Sequence, residues 1–106
     1  MQLTITGRHI EIPPMLEELF RAKVDKMERF GHQLNAVHAI FGRQKYLYTA
    51  EITLSAKGMG LVGRATHPKD FLTCMEEALS KLEAQLKRRE RKRLENLRRR
   101  TPHRPA

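Results

Sequence analysis

The sequence predicts an α+β fold of order β-α-β-β-β-α, with four strands in one sheet and two helices on one face. Two stretches have apolar residues at helical spacing, and four have β-like patterns. The length of 106 residues allows one domain and not two. Two helices on one face of one sheet is the most economical packing of these elements. Because the first two strands flank a helix, we expect them to be parallel, joined by a right-handed crossover.

The first strand and the first helix are separated by prolines. Residues 2–6 alternate polar and apolar, and Gly7 ends the strand. Pro13-Pro14 can start a helix but cannot continue one, so we expect a helix over about 14–30 that ends at Gly31. Its apolar stripe consists of Leu16, Leu19, Phe20, Val24, Met27 and Phe30.

Three strands and a second helix follow. Residues 35–43 are β-like and apolar on both faces, and the Gly58-Met59-Gly60 turn joins the third and fourth strands into a hairpin. The third strand alternates most clearly, with a core face of Tyr46, Tyr48, Ala50, Ile52, Leu54 and Ala56. Asp70 is a suitable N-cap for the second helix. The apolar stripe of that helix is Phe71, Met75, Ala78, Leu79, Leu82 and Leu86.

Beyond Leu86 the same helical spacing reaches Arg89 and Arg93, so we expect the second helix to extend beyond the domain. Residues 1–86 hold 11 Lys/Arg and 10 Asp/Glu, a net charge of +1. Residues 87–106 hold 10 Lys/Arg and 2 Asp/Glu, a net charge of +8 out of the total of +9. We therefore expect a domain over 1–93 and a basic tail over 94–106 that frays until a polyanion neutralises it.

Structured RNA suits this segment better than a membrane. An interfacial helix needs a wide apolar face, and between residues 87 and 100 only Leu94 and Leu97 are apolar. No aromatic residue follows Phe71, so the tail would contact the phosphate backbone and not stack on bases. The first helix carries a smaller basic edge of Lys23, Lys26 and Arg29. If that edge faces Lys81 and Arg88, the two helices form one continuous basic patch.

Several motifs resemble catalytic or ligand sites, but their surrounding sequence does not support those functions. The G-x-G-x-x-G string at residues 58–63 lies in a hairpin and does not open a helix, so it does not predict a nucleotide site. Cys74 with His67 is a weak candidate for a nucleophile pair. No metal-ligand spacing occurs among Cys74 and the histidines, which are His9, His32, His38, His67 and His103. We expect no catalytic residue, no metal, no cofactor and no small-molecule ligand.

Location follows from what the sequence lacks. The N-terminus has no basic segment followed by an apolar one, as a signal peptide would, and no run of about 18 apolar residues is present. A single cysteine excludes an intrachain disulfide framework. We therefore expect a cytoplasmic protein that is a monomer when free.

Four segments together resemble one known family. They are Met1-Gln2-Leu3-Thr4-Ile5-Thr6-Gly7, the Lys23-x-x-Lys26 pair, Tyr48-Thr49-Ala50-Glu51-Ile52-Thr53-Leu54, and Asp70 followed by Lys81-Leu82-x-x-Gln85-Leu86. In this order the chain, over roughly residues 1–93, is similar to the ribosome hibernation promoting factors. That family includes the ribosome-associated translation inhibitors, once named sigma-factor modulation proteins. The chain departs from the family at residues 70–76, where Leu72 replaces a tyrosine and Glu76 an aspartate.

The resemblance implies a fold like that of a double-stranded-RNA-binding domain, in the short form of the family. It also implies binding to the small ribosomal subunit and its rRNA, in the channel for mRNA and tRNA, which blocks translation in stress or stationary phase. Matching the family's basic contacts and adding the charged tail gives nine candidate rRNA-binding residues: Lys23, Lys26, Arg29, Lys81, Lys87, Arg88, Arg89, Arg91 and Lys92. Two alternatives stay open: a protein-binding regulator, for example of a transcription factor, and a generic structured-RNA-binding module.

Overall fold

The computed structural model describes residues 1–29, 33–56 and 58–100, and the side chains of all of these except 98–100. It contains four strands and two helices in the predicted order. They are β1 (Gln2–Arg8), α1 (Pro14–Arg29), β2 (Ala36–Gln44), β3 (Leu47–Ala56), β4 (Met59–His67) and α2 (Phe71–Arg100). The predicted fold class is therefore confirmed.

The sheet has the strand order β1-β2-β3-β4. As predicted, β1 and β2 are parallel, with Gln2 opposite Ala36 and Arg8 opposite Gly42. The other two pairs are antiparallel hairpin pairs. Since α1 follows β1 and α2 follows β4, both helices run back along the sheet. They therefore end near the end of the sheet at which β1, β2 and β4 begin.

The core lies between the helices and one face of the sheet. The predicted alternation of β3 is confirmed from Ala50 onward, because Ala50, Ile52, Leu54 and Ala56 are buried. Four rings from both helices and two strands connect the helix layer to the sheet in edge-to-face contacts. Phe20 of α1 contacts Phe41 of β2 at 6.2 Å between ring centroids, Phe71 of α2 contacts Phe41 at 5.9 Å, and Tyr48 contacts Phe71 at 4.7 Å.

Two residues predicted for the core lie outside it. Tyr46 is 86% exposed because it belongs to the two-residue turn between Gln44 and Leu47, where Lys45 adopts a positive φ of 57°. Leu19 is 36% exposed at the margin of the α1 stripe. The second hairpin turn is also shorter than expected, since Met59 already pairs with Ala56. Phe30 and Gly31 lie outside the described residues.

The long helix α2 begins at the predicted cap. The Thr73 N–H donates to Asp70 Oδ1 at 2.7 Å, and this hydrogen bond lowers the pKa of Asp70 below its ordinary value of 3.8. Leu86 is the last buried residue among the described side chains. The helix α2 continues without a break to Arg100, which adds about 20 Å of helix beyond Leu86. The helix therefore crosses the boundary predicted at residue 93. The fraying of the tail in solution stays a prediction, and residues 101–106 lie outside the described part of the chain.

A glycine sets the distance between α2 and the sheet. A Cβ at Gly63 of β4 would overlap the Ala78 carbonyl oxygen and crowd the Leu82 side chain of α2. The helix backbone thus rests directly on the strand, and Leu82 is fully buried there. Gly60, in the same strand, has no atom within 4 Å of the equivalent position.

Gly63→Ala should therefore lower the free energy of unfolding by about 1–3 kcal/mol, because the added methyl group must push α2 away from the sheet. Gly60→Ala is the matched control, and it should change stability far less because its methyl group meets no neighbour. Urea unfolding followed by circular dichroism measures both. Equal stability of the two variants would show that α2 does not rest on Gly63.

The Asp70 cap predicts a pH dependence of stability. Its pKa is lowered on folding, so the carboxylate stabilises the folded chain above pH 3.8, and this contribution is lost as pH falls through the folded-state pKa. Asp70→Ala should lower the melting temperature at pH 7, and the difference from the original chain should shrink as the pH falls below 3.8. Asp70→Ser, which keeps a capping oxygen, is the control. A difference that is independent of pH would contradict the assignment.

Candidate nucleic-acid interface

Two side-chain hydrogen bonds align α2 with the outer edge of β4. Lys81 Nζ donates to the Arg64 carbonyl oxygen at 2.6 Å, and Gln85 Nε2 donates to the Val62 carbonyl oxygen at 2.9 Å. Four residues of helix advance about 6 Å, nearly the same as two residues of strand. One more helical turn therefore brings Arg89 level with the beginning of β4, and Arg93 beyond it.

The two helices enclose a groove of about 560 Å³ near the end of the domain. Lys23, Lys26 and Met27 line it from α1. Its α2 wall is formed by Glu76, Leu79, Ser80, Glu83, Lys87 and Glu90. Lys23 Nζ lies 3.6 Å from Glu76 Oε2, and both side chains remain partly exposed. The structure thus brings together three of the predicted binding residues: Lys23, Lys26 and Lys87.

The groove also holds an acidic stripe that the sequence analysis missed. Glu76, Glu83 and Glu90 recur every seven residues and so share one flank of α2, the flank that faces α1. Their seven-residue interval was the available signal. A phosphate deep in the groove would meet these carboxylates, so the lysines can contact a polyanion only at the rim.

The continuous patch considered for the two helices does not form. Lys81 contacts β4 through the Arg64 carbonyl, on the flank of α2 opposite to α1. Arg88 and Lys92 follow Lys81 by 7 and 11 residues and therefore lie on that same flank. The reason is lateral placement: α2 packs on β3 and β4, so one of its flanks faces α1 and the other faces the free edge of the sheet.

A second cavity of about 470 Å³ lies at the end of the sheet, beneath the extension of α2. Its lining residues are Gln33, Met59, Arg89, Glu90 and Arg93. Arg93 was not among the predicted binding residues, although the apolar stripe pointed to it. The two remaining predicted residues, Arg29 and Arg91, are exposed and line neither of these two cavities.

The candidate nucleophile is held in the core. Cys74 is buried, and its Sγ lies 3.0 Å from the Tyr48 carbonyl oxygen and 3.4 Å from that of Ala65. Burial raises the pKa of the Cys74 thiol, which disfavours the reactive thiolate. His67 Nδ1 instead accepts a hydrogen bond from the Lys69 N–H at 3.1 Å. The two side chains therefore do not form a nucleophile and base pair.

The glycine-rich string lies in the hairpin context that the sequence analysis expects. Residues 60–63 of the glycine-rich string lie within β4, so they do not open a helix. Among the described residues, no three His, Cys, Asp or Glu side chains are grouped closely enough to hold a metal ion. No helix in the described ranges is long and apolar enough to cross a membrane.

Residues 3–94 match the family model described as Sigma 54 modulation protein / S30EA ribosomal protein. The chain belongs to this family. The match runs from β1 into α2 and ends just beyond the groove residues of α2. It confirms the resemblance drawn from the sequence.

Two members of the family illustrate the degree of similarity. The chain is 31% identical over 86 residues to a protein of Escherichia coli K12 named Ribosome hibernation promoting factor, covering 81% of this chain and 90% of that one. It is 27% identical over 95 residues to the protein of the same name from Azotobacter vinelandii, covering 90% of this chain and 88% of that one.

Solved structures share the fold. A ribosomal subunit interface protein from Coxiella burnetii superposes with a TM-score of 0.76 at 22% identity, covering 85% of this chain and 98% of that one. The N-terminal domain of Thermus thermophilus Protein Y gives a TM-score of 0.73 at 21% identity, covering 83% and 98%. At these identities the likeness establishes the architecture alone.

The groove lysines should contribute little to stability. Lys23 and Glu76 have side chains that are 39% and 51% exposed, and exposed ion pairs contribute about 0–1 kcal/mol. Lys23→Gln with Lys26→Gln should therefore change the free energy of unfolding by less than about 1 kcal/mol, as measured by urea unfolding. A larger loss would assign these lysines a structural role.

Proposed function

We propose that this protein is a non-enzymatic hibernation factor that binds the small ribosomal subunit, occupies its mRNA and tRNA channel, and inhibits translation in stress or stationary phase. The observation that carries the proposal is the family match over residues 3–94, together with relatives named Ribosome hibernation promoting factor. Inhibition requires only that the folded chain occupy space that mRNA and tRNA need. The proposed site of action is the cytoplasm.

The distribution of charge supports an rRNA partner. Both helices end near the end of the sheet at which β1, β2 and β4 begin. The basic residues of α1 and of the α2 extension therefore approach the same end of the domain. Lys23, Lys26 and Lys87 lie around the groove. The extension beyond Leu86 supplies most of the net positive charge, and phosphate contacts need only cations at suitable spacing.

All nine candidate residues remain part of the proposal, in four sets with different geometry. Lys23, Lys26 and Lys87 line the groove, and Arg89 lines the second cavity. The flank of α2 that faces the outer side of β4 carries Lys81, Arg88 and Lys92. Arg29 and Arg91 are exposed outside both cavities. A large rRNA surface could contact all four sets, whereas one straight phosphate backbone could not.

The chemistry of the exposed sheet face does not favour the protein-binding alternative. That face carries polar residues on all four strands, including Thr4, Thr6, Thr53 and Thr66, and it holds the Arg64–Glu51 ion pair at 3.4 Å. Protein interfaces usually have an apolar core. Among the described residues of this face, the large apolar side chains that are more than a third exposed are Leu47 and Val62.

The proposal predicts a charge-dependent and position-dependent loss of inhibition. Lys23→Glu with Lys26→Glu should abolish most co-sedimentation with small subunits and most inhibition of cell-free translation. The reason is that the two groove lysines of α1 become acidic beside the Glu stripe. For the original chain, affinity should fall by about 10³–10⁵ between about 50 and 200 mM salt if six to ten phosphates are contacted.

The matched control makes the same charge change at the opposite end of the sheet, with Arg8→Glu and Lys69→Glu. This control variant should retain co-sedimentation and inhibition. Sucrose-gradient profiles of a cell extract containing the tagged chain then show whether the chain co-sediments with small subunits, whole ribosomes or ribosome dimers. Absence from all ribosomal fractions, or full activity of the Lys23/Lys26 variant, would refute the proposal.

A further inference from the structure

The face of α2 that is apolar within the domain becomes cationic where the helix leaves the sheet. Leu82 and Leu86 occupy this face and are buried, and Arg89 and Arg93 continue it at the same spacing. These arginines do not point to open solvent on the outer side of the helix. They overhang the end of the sheet, where Met59 and Gln33 close a cavity of about 470 Å³. We call this cavity the arginine notch.

The notch concentrates positive charge in a concave site. Arg89 and Arg93 are one helical turn apart, which places their Cβ atoms about 5–6 Å from each other. Like charges at this spacing destabilise a helix, and Glu90 is the single carboxylate among the described lining residues. No hydrogen bond or ion pair of either guanidinium occurs among the described residues. Both arginines are exposed and available to an incoming anion.

The chemistry of the lining fits a phosphodiester backbone. Each guanidinium presents several N–H donors in a plane, which suits two oxygens of one phosphate. The Gln33 amide adds a neutral donor and an acceptor, the latter suited to a ribose 2′-hydroxyl. Met59 gives an apolar wall against which a ribose can pack. This combination differs from the groove between the helices, whose lining includes three carboxylates and no arginine.

We propose that the arginine notch binds adjacent phosphates of an RNA strand and thereby fixes which face of the α2 extension meets the RNA. The inference rests on the proposed function for its choice of RNA as the polyanion. It adds that the two faces of the extension differ in their contribution to RNA affinity. The concave face at Arg89 and Arg93 contributes more than the flank at Arg88 and Lys92, although both pairs carry two charges at the same spacing.

The test compares two variants with identical net charge. One carries Arg89→Gln and Arg93→Gln, and the other Arg88→Gln and Lys92→Gln. All four residues are exposed and follow the last core residue, so both variants should fold, which circular dichroism verifies. Binding is measured to an RNA duplex of about 16 base pairs and, separately, to purified small subunits, over a range of salt concentrations.

The notch variant should bind the duplex about tenfold or more weakly than the original chain at 100 mM salt. The plot of log affinity against log salt should become less steep by about 2, because two phosphate contacts are lost. The flank variant should lose about threefold and change the slope by about 1, because Arg88 and Lys92 belong to the proposed binding surface but do not line the notch. Equal losses in the two variants would overturn the notch and leave the proposed function standing. Failure of the original chain to bind small subunits, with the duplex difference preserved, would refute the proposed function and leave the notch standing.

Discussion

The contact of α2 with β4 at Gly63 determines the geometry of everything that follows in the chain. Because the glycine has no side chain, the helix backbone lies directly against the strand, and Leu82 fills the adjacent core. Lys81 and Gln85 then donate to carbonyl oxygens of β4. These bonds cover part of an edge strand that would otherwise present unpaired backbone groups. They also fix the rotation of α2 about its own axis, and hence the direction of the basic residues from Lys87 to Arg93.

The topology concentrates positive charge without requiring a basic domain. Both helices run back along the sheet and finish at the same end of its strands, so the residues near their C-terminal ends lie close together there. Cations near a helix C-terminus interact favourably with the helix dipole, and α1 carries Lys26 and Arg29 in its last turn. A domain with a net charge of +1 can in this way present one strongly cationic end to a polyanion.

The basic residues at this end occupy two different chemical environments. The lysines between the helices lie beside Glu76, Glu83 and Glu90, so part of their charge is balanced within the protein. The two arginines at the end of the sheet share one lining carboxylate, Glu90. Neighbouring carboxylates weaken non-specific attraction of phosphates, whereas guanidinium pairs strengthen it, so the balance of the two controls where a strand of RNA can lie.

Much of this protein could be predicted from periodicity alone. The order of the elements, the parallel pairing of β1 with β2, the cap at Asp70 and the extension of α2 beyond Leu86 all follow from local patterns of apolar residues and turn chemistry. Tyr46 was misplaced because alternation cannot show where a two-residue turn begins. The turn lies at residues 45–46, with a positive φ at Lys45, so the third strand begins one residue later than the pattern implied.

Only the tertiary structure decided which basic residues act together. The sequence placed Glu76, Glu83 and Glu90 on one flank of a helix and Lys81, Arg88 and Lys92 on another, but not which flank faces α1. That choice depends on the position of α2 over β3 and β4 and on its rotation at Gly63, which are properties of packing between distant segments. Helical periodicity relates residues within α2 to one another, and it carries no information about the neighbour that each face meets.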